Sequence, residues 1–407
     1  MSGMRSPFAL YDGAPPAGTP ALDLDPFSPG FLENPWSGLQ EMREAGPVVW
    51  LRQYNIVAVA RYAEAREVLS NWQSFSSARG VGMEDFVRHG RFRLPSLILE
   101  ADPPEHTKSR GVLSGVLSPP VLKKLRAGFE EKAEALITEL VAKRRFDAIG
   151  ELAEAFPLSV FPDAMGLPQQ GREKLLPHAE MLFNSFGPRN TIFEQSLHQA
   201  SFEWVEHLGR RETLGPGLGL LIHKAAEKGN VSKDDAAKLV RALVQAGLDT
   251  TVHAIGASLH CLARFPNQWE RLRADPSFAS SAFNEAVRFE SPVQTFFRTT
   301  MRGRQLSGVQ LNDGDKVLVF LGSANRDPAR WEAPDAYDIG RDTTGHLGFG
   351  AGIHRCVGQL LARMEGEVVL TALARHARTL KLAGDPVRRL NNTLRGLTSL
   401  PVEVEPA

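Results

Sequence analysis

Phe349-Gly350-Ala351-Gly352-Ile353-His354-Arg355-Cys356-Val357-Gly358 is the stretch of sequence that decides the fold. Its three glycines let the backbone turn tightly around one cysteine and approach a flat ligand closely. Backbone amides after the turn, and the N-terminus of a helix predicted to begin near Cys356, would favour the thiolate over the thiol. A lone cysteine in a glycine-rich loop is more often an ordinary buried thiol, so the case depends on the complete pattern.

That pattern, F-G-x-G-x-H-x-C-x-G, resembles the haem-binding loop of the cytochrome P-450 superfamily. The resemblance implies a haem-thiolate monooxygenase whose haem b iron is held by Cys356, with Phe349 and Gly350 beside the haem. It also implies a mainly α fold with a small β region. In that fold a single triangular domain holds the haem between a long central helix and the cysteine loop.

Composition and charge are compatible with a haem-thiolate monooxygenase and argue against nucleic-acid-binding, disulfide-rich and zinc-cluster proteins. The chain has 407 residues, 43% of them hydrophobic, and 47 basic side chains balance 47 acidic ones. No overall field therefore attracts nucleic acid or an anionic membrane. Two cysteines, Cys261 and Cys356, are too few for a disulfide scaffold or a zinc cluster. With no signal peptide or membrane-length apolar run, we expect a cytoplasmic protein.

Periodicity predicts one mostly helical domain over residues 31–407, after an extended lead-in over residues 1–30. Apolar, β-branched residues predict a hairpin over 48–60 and short strands over 317–320 and 397–404. The longest unbroken helix is predicted over 232–265, capped by Ser232 with Asp235 three residues later. Further helices are predicted over residues 35–44, 61–71, 119–165, 170–187, 190–209 and 278–290.

Within the longest predicted helix, Ala246-Gly247-Leu248-Asp249-Thr250-Thr251 is poor helix material. Glycine costs roughly 1 kcal/mol relative to alanine there, and Thr250 can bond back to a carbonyl one turn earlier and open the helix. The segment resembles the superfamily's acid-alcohol pair. The resemblance implies that Thr250 holds the hydrogen-bond network for proton delivery and that Asp249 relays protons from solvent.

Two further sets of residues resemble motifs of the family. His106 and Arg110, one helical turn apart, suit the haem propionates, and Arg298 and His354 match further propionate-binding positions. Glu285 and Arg288 share a helix face at i, i+3, a pair that is usually solvated and worth little. In the family an E-x-x-R forms a buried ion network that braces the haem loop, and its third member is expected at or near Arg326.

The whole sequence is similar to a narrower bacterial group that oxidises para-substituted benzoic acids, typically removing a 4-methoxy methyl. The resemblance implies that four apolar residues clamp a flat ring: Phe183, Phe186, Val293 and Phe296. Arg93, Ser96 and Arg241 match positions that bind the carboxylate. Ala242 and Gln245 stand where serines are expected, and Ala246 completes the predicted substrate set. Residues 242, 245 and 249 follow helical spacing, so we expect them on one face toward the cavity.

Several functional alternatives stay open at this point. Losing a serine hydroxyl removes a donor worth roughly 1.5–3 kcal/mol to a charged partner, so the substrate could be a cinnamic acid or a neutral methoxyphenol. The acid is favoured because both arginines remain. An H2O2-dependent peroxygenase and a non-catalytic haem-thiolate binding protein are disfavoured because Asp249 and Thr250 are present.

The partners follow from the same resemblance. The chain ends about fifty residues after Cys356 without a flavin or iron–sulfur domain, so electrons from NAD(P)H are expected through a [2Fe–2S] ferredoxin and a flavoprotein reductase. Arg355 and Lys108 could present positive charge to an acidic ferredoxin. Family habit predicts a monomer.

Overall fold

The computed structural model describes residues 10–407. Helices dominate, and they are α1 (Pro29–Glu33), α2 (Trp36–Ala45), α3 (Tyr62–Ser70), α4 (Glu105–Val116), α5 (Pro119–Lys143), α6 (Ala155–Met165), α7 (Leu175–Asn184), α8 (Thr191–Leu197), α9 (Phe202–Leu208), α10 (Leu218–Glu227), α11 (Lys233–Gly247), α12 (Asp249–Arg264), α13 (Pro266–Ala274), α14 (Ala279–Glu290), α15 (Leu321–Ala324) and α16 (Gln359–His376).

The strands are short. They are β1 (Ala21–Leu22), β2 (Val49–Leu51), β3 (Ile56–Val59), β4 (Phe75–Ser76), β5 (Arg145–Asp147), β6 (Thr295–Thr300), β7 (Arg304–Leu306), β8 (Val309–Leu311), β9 (Lys316–Phe320), β10 (Ala377–Leu382), β11 (Val387–Arg389), β12 (Gly396–Ser399) and β13 (Pro401–Pro406).

The largest sheet has the strand order β1-β2-β3-β9-β6-β4. The predicted hairpin is confirmed as β2 and β3, which pair antiparallel with Trp50 opposite Val57. β6 pairs antiparallel with β9, placing Arg298 opposite Val317. β1 pairs with β2, so part of the expected lead-in belongs to this sheet.

A helical core carries the cysteine loop. α16, which directly follows the loop, packs against α5 and α14, and α12 packs against α14. Gly366 on α16 permits the close approach of α14, because a Cβ there would lie 2.1 Å from the ring of Phe283. Ile255 and Leu259 of α12 are fully buried in the same core. This packing fixes the loop relative to the central helices.

Three helices predicted as continuous are divided in the structure. The 119–165 prediction is interrupted by β5 and by a π-helical segment, Ala148–Glu154, after Arg144 adopts a left-handed φ of +62°. The 190–209 prediction breaks between α8 and α9. The 232–265 prediction breaks at Leu248, between α11 and α12. Its cap is confirmed, because the N–H of Asp235 donates to Ser232 Oγ at 3.0 Å.

Across residues 10–407, every helix is too short or too polar to cross a membrane.

Candidate active site

One cavity of about 430 Å³ lies between the cysteine loop and the α11–α12 junction. It gathers residues that are far apart in the sequence. Those predicted to act at a site and found in its wall are Arg93, Ser96, Arg110, Phe183, Phe186, Arg241, Ala242, Gln245, Ala246, Thr250, Val293, Phe296, Arg298, Phe349, Gly350, His354 and Cys356. His106, Asp249, Glu285 and Arg288 lie outside the lining.

The cysteine loop has the tight turns that its glycines predict. Gly350 and Gly352 have φ values of +71° and +65°. A Cβ on Gly352 would lie 2.7 Å from the Cα of Ser70, so glycine is required by both backbone conformation and space. The N–H of Cys356 donates to the carbonyl of Phe349 at 2.8 Å and closes the loop beneath the cavity.

The protein environment acts on the Cys356 sulfur in opposite directions. Burial is the largest influence and raises the pKa of the thiol above its ordinary value. The backbone amides of Gly358 and Gln359 and the charge of Arg110 act to lower it. The backbone amides therefore favour the thiolate as predicted, and desolvation, which the sequence pattern does not reveal, opposes them. A bound metal ion would remove the thiol proton outright.

Four basic residues gather at one side of the cavity. The rings of His106 and His354 lie 4.5 Å apart; Nε2 of His106 has no hydrogen-bond partner within the described chain, and Nε2 of His354 lies 3.9 Å from Oδ1 of Asp102. Arg298 is 2% exposed, donates to the carbonyl of Phe297 at 2.8 Å, and has its pKa lowered to about 10 by burial. Arg110 donates to the backbone carbonyls of Ile353 and Arg355. Buried basic side chains with few hydrogen-bond partners in the described chain are suited to binding anionic groups.

Asp249 and Thr250 are the first two residues of α12, and only the Thr250 side chain faces the cavity. Thr250 Oγ1 donates to the carbonyl of Ala246 at 2.8 Å, which confirms the predicted back-bond, and its side chain reaches the cavity. Asp249 is fully buried outside the cavity, so the expectation that it shares the face of Ala242 and Gln245 is wrong. Leu248 ends one helix before Asp249 begins the next, and the spacing rule for one continuous helix does not extend across that break.

The Asp249 carboxyl has an unusual environment. Neither of its oxygens has a hydrogen-bond partner in residues 10–407, and Nε2 of His253 lies 3.3 Å from Oδ1. Burial raises the pKa of Asp249 to about 7, and the charge of Arg389 opposes that rise. Arg389 in turn pairs with Glu154 at 3.0 Å and Glu180 at 3.6 Å, and its side chain is 18% exposed. The carboxyl can therefore both take up and release a proton near neutral pH.

The predicted aromatic wall is assembled in the structure. Phe183 and Phe186 contact edge to face at 5.6 Å, and Phe186 lies 6.0 Å from Phe296. Val293 packs against the same cluster. Such rings form an apolar slot suited to a flat substrate.

The polar end of the cavity, formed by Arg93, Ser96 and Arg241, differs from the prediction because only one of its two arginines is without an ion-pair partner in the described residues. Arg93 forms a bidentate pair with Glu100 at 2.7 and 2.6 Å, so its charge is already matched. Arg241 is 8% exposed, and no other group in the described chain forms a hydrogen bond or ion pair with its guanidinium, although the charge of Glu206 in the same cavity wall acts on it. Ser96 Oγ accepts backbone N–H bonds from Ile98 and Leu99, which leaves its hydroxyl proton free to be donated.

The Glu285–Arg288 pair is buried, with Nε of Arg288 2.7 Å from Oε2 of Glu285 and both side chains fully inaccessible. The third member of the network is Arg341, whose Nε lies 3.1 Å from Oε1 of Glu285. The expectation of Arg326 is wrong, because that guanidinium pairs with Asp335 at 2.9 Å and lies over the ring of Trp36.

Sequence reasoning missed three residues that shape the site: His178, Glu100 and Arg341. His178 precedes Leu182 and Phe186 at four-residue spacing, and all three line the cavity, so extending the stripe that carries Phe186 would have found it. Glu100 and Arg341 lie in loops, where periodicity gives no signal.

Comparison with known proteins extends the similarity well beyond the cysteine loop. The family model described as Cytochrome P450 matches residues 156–405. The chain is 55% identical over 398 residues to Cytochrome p450 CYP199A2 of Rhodopseudomonas palustris, with 96% of each chain covered. It is 32% identical to Cytochrome P450 107B1 of Saccharopolyspora erythraea, covering 93% of this chain and 97% of the relative. The solved structure of CYP109Q5 from Chondromyces apiculatus matches with a TM-score of 0.80 at 28% identity, covering 94% and 98% of the two chains.

Proposed function

We propose a substrate class from the premise that this chain belongs to the cytochrome P450 family, whose model and relatives match most of its length. Membership confirms the family resemblance and the mainly helical fold with small sheets. The chain is a haem b monooxygenase that receives its electrons from redox partners. Its proposed reaction inserts one oxygen atom from O2 into a small para-substituted aromatic acid, by O-demethylation or hydroxylation of substrates like 4-methoxybenzoate.

The residues around the cavity fit haem b. Cys356 would ligate the iron, and Gly350 and Phe349 would lie beside the macrocycle. His106, whose buried Nε2 has no partner in residues 10–407, would bind propionates together with His354, Arg110 and Arg298. Haem bound through a thiolate supplies the activation of O2 and the transfer of one oxygen atom.

Asp249 and Thr250 would move protons to the cavity. The Thr250 hydroxyl, held by the Ala246 carbonyl, presents an oxygen that can accept a hydrogen bond from water. The Asp249 carboxyl, whose pKa lies near neutrality, would exchange protons with solvent on the side of Arg389. A protein that only bound or sensed a ligand would have no use for this arrangement.

One observation supports the acid substrate most strongly: within residues 10–407 the guanidinium of Arg241 in the cavity wall has no direct hydrogen bond or ion pair, and the charge of Glu206, which also lines the cavity, acts on it only from a distance. An unpaired buried charge is costly, and a substrate carboxylate would offset that cost. Arg93 adds little net charge because Glu100 already neutralises it. The preference for an acid therefore depends on Arg241, rather than on both arginines.

The aromatic side chains of the cavity are consistent with the proposed ring and para substituent of the substrate. Phe183, Phe186 and Phe296 surround space between the polar end and the Cys356 loop. An acid whose carboxylate binds at Arg241 would have its ring between these side chains and its para substituent directed away from the carboxylate. This arrangement favours oxidation at the para position.

The redox partner proposed for the chain is a [2Fe–2S] ferredoxin served by an NAD(P)H-dependent flavoprotein reductase. Arg355 and Lys108 are exposed on the side of the cysteine loop and of α4, where they could meet an acidic protein. A cytoplasmic location and a monomeric state remain predictions.

The test is a comparison of ligands and of products. The purified haem protein is titrated with 4-methoxybenzoate, 4-methoxycinnamate and guaiacol, and the shift of the Soret band reports displacement of iron-bound water. We expect the benzoate to bind most tightly, and NADH-driven turnover with ferredoxin and reductase to release formaldehyde and 4-hydroxybenzoate. A Soret shift with guaiacol alone would refute the acid proposal. Turnover that proceeds with H2O2 but not with NADH would point to a peroxygenase.

A further inference from the structure

Gln245 and His178 form a polar pair in the cavity wall that the proposed function has not used. Nε2 of Gln245 lies 2.9 Å from Nε2 of His178. His178 is 1% exposed, and its Nδ1 accepts a hydrogen bond from the backbone N–H of Ser201 at 3.1 Å. The backbone at Ser201 leaves helical geometry between α8 and α9, which turns this N–H toward the ring.

The Ser201 contact decides which tautomer His178 adopts. A nitrogen that accepts a hydrogen bond carries no proton, so the neutral ring must hold its proton on Nε2. Burial, with the nearby charge of Arg241, lowers the pKa of His178 to about 4, so the ring is neutral at physiological pH. His178 therefore presents an N–H donor to Gln245.

That donor fixes the orientation of the Gln245 amide. An N–H group of His178 cannot bond to the NH2 group of Gln245, because both are donors. A half-turn of the amide exchanges its oxygen and nitrogen without moving other atoms. The oxygen then accepts from His178, and the NH2 group faces the cavity. Ser201, His178 and Gln245 thus form a chain of hydrogen bonds that ends in an oriented donor.

We propose that Gln245, held in this orientation by His178, determines substrate specificity by donating a hydrogen bond to the substrate carboxylate beside Arg241. Arg241 and Gln245 are four residues apart on α11, so their side chains are neighbours on one helix face. Both line the cavity. The guanidinium supplies charge, and the amide supplies a neutral donor in place of a serine hydroxyl. The inference rests on the proposed acid substrate, and His178 acts as a positioning residue.

The experiment measures dissociation constants by the Soret shift for 4-methoxybenzoate and for the neutral analogue 4-methylanisole. The variants are Gln245→Met, which keeps length but removes the donors, Gln245→Glu, His178→Phe, and the Gln245→Met/His178→Phe double variant. Haem content and the reduced carbon monoxide spectrum establish that each variant is folded.

Gln245→Met should weaken benzoate binding roughly tenfold or more, because a hydrogen bond to a charged group is lost. Binding of the neutral analogue should change less than about twofold, since it makes no such bond. Gln245→Glu should weaken the acid further, because it directs negative charge at the carboxylate. His178→Phe should weaken acid binding, and the double variant should be no weaker than Gln245→Met, because two residues acting through one bond are not additive.

Three results would overturn the inference: equal losses for acid and neutral ligands, an unchanged acid affinity in Gln245→Met, or additive losses in the double variant. These outcomes differ from failure of the proposed function. If wild-type protein gives no Soret shift with any aromatic acid, the acid substrate itself is wrong. If Arg241→Met abolishes acid binding while Gln245→Met leaves it intact, the acid substrate stands and the role of Gln245 is wrong.

Discussion

Replacing Arg241 with methionine should weaken acid binding without destabilising the substrate-free protein. Methionine keeps the apolar stem and removes the buried guanidinium, which has no direct hydrogen bond or ion pair in residues 10–407. A charge-assisted hydrogen bond contributes roughly 1.5–3 kcal/mol, which corresponds to about a 10- to 150-fold weaker dissociation constant for 4-methoxybenzoate. Because an unpaired buried charge is itself unfavourable, the free energy of unfolding should stay constant or rise.

Arg93→Met is the matched control, because it makes the same change at the other arginine predicted to bind the carboxylate. It removes the partner of Glu100, a carboxylate whose side chain is fully buried. Breaking a buried pair in this way costs about 3–5 kcal/mol, so this variant should unfold at clearly lower urea concentration. The two variants thus separate a ligand-binding arginine from a structural one.

The assay combines Soret titration with 4-methoxybenzoate and 4-methylanisole and urea unfolding of the haem-loaded protein. Arg241→Met should lose affinity for the acid alone. If Arg241→Met bound the acid as tightly as wild type, or unfolded as readily as Arg93→Met, the assignment of Arg241 as an unpaired carboxylate site would be refuted.

Three further predictions concern the ion network, the buried acid and the redox surface. Arg341→Met should lower stability and haem retention more than Arg326→Met, because Arg341 bonds the fully buried Glu285 whereas Arg326 pairs with an exposed carboxylate; equal unfolding midpoints in urea would contradict this. Burial raises the pKa of Asp249 to about 7, so the folded protein binds more protons than the unfolded chain between about pH 4 and 7, and stability falls as pH rises through that range. Asp249→Asn should remove up to ~4 kcal/mol of this pH-dependent loss of stability, measured by urea unfolding at low and neutral pH. It should also slow NADH-coupled turnover. If the pH dependence of stability were unchanged in Asp249→Asn, the raised pKa of Asp249 would be disproved. Arg355→Glu with Lys108→Glu should slow electron transfer from an acidic ferredoxin at low salt and less at high salt, and a rate that does not change would exclude this surface.

The sequence predicted the features that depend on local pattern. The Cys356 loop, the β2–β3 hairpin and the Ser232 cap each require particular residues at fixed spacing, and each appears in the structure. The Thr250 back-bond was predictable because it joins residues one turn apart. The aromatic slot was predictable only through resemblance, since its residues come from separate elements.

The errors arose where tertiary contacts decide the outcome. The break at Leu248 turned Asp249 out of the cavity, although periodicity placed it on the same face as Gln245. Arg341 replaced Arg326 in the network because two loops fold over α14, and no spacing rule relates loops to helices. The pairing of Arg93 with Glu100 could not be read from sequence either, and it changes which arginine supports the acid substrate.

The central claim is that the Cys356 sulfur ligates haem iron as an anion, and the reduced carbon monoxide spectrum tests it most directly. Wild-type protein should give the red-shifted Soret band of a thiolate-ligated haem, and Cys356→His should bind haem but lose that band. Wild-type protein that bound no haem, or a carbon monoxide band identical in wild type and Cys356→His, would contradict the claim.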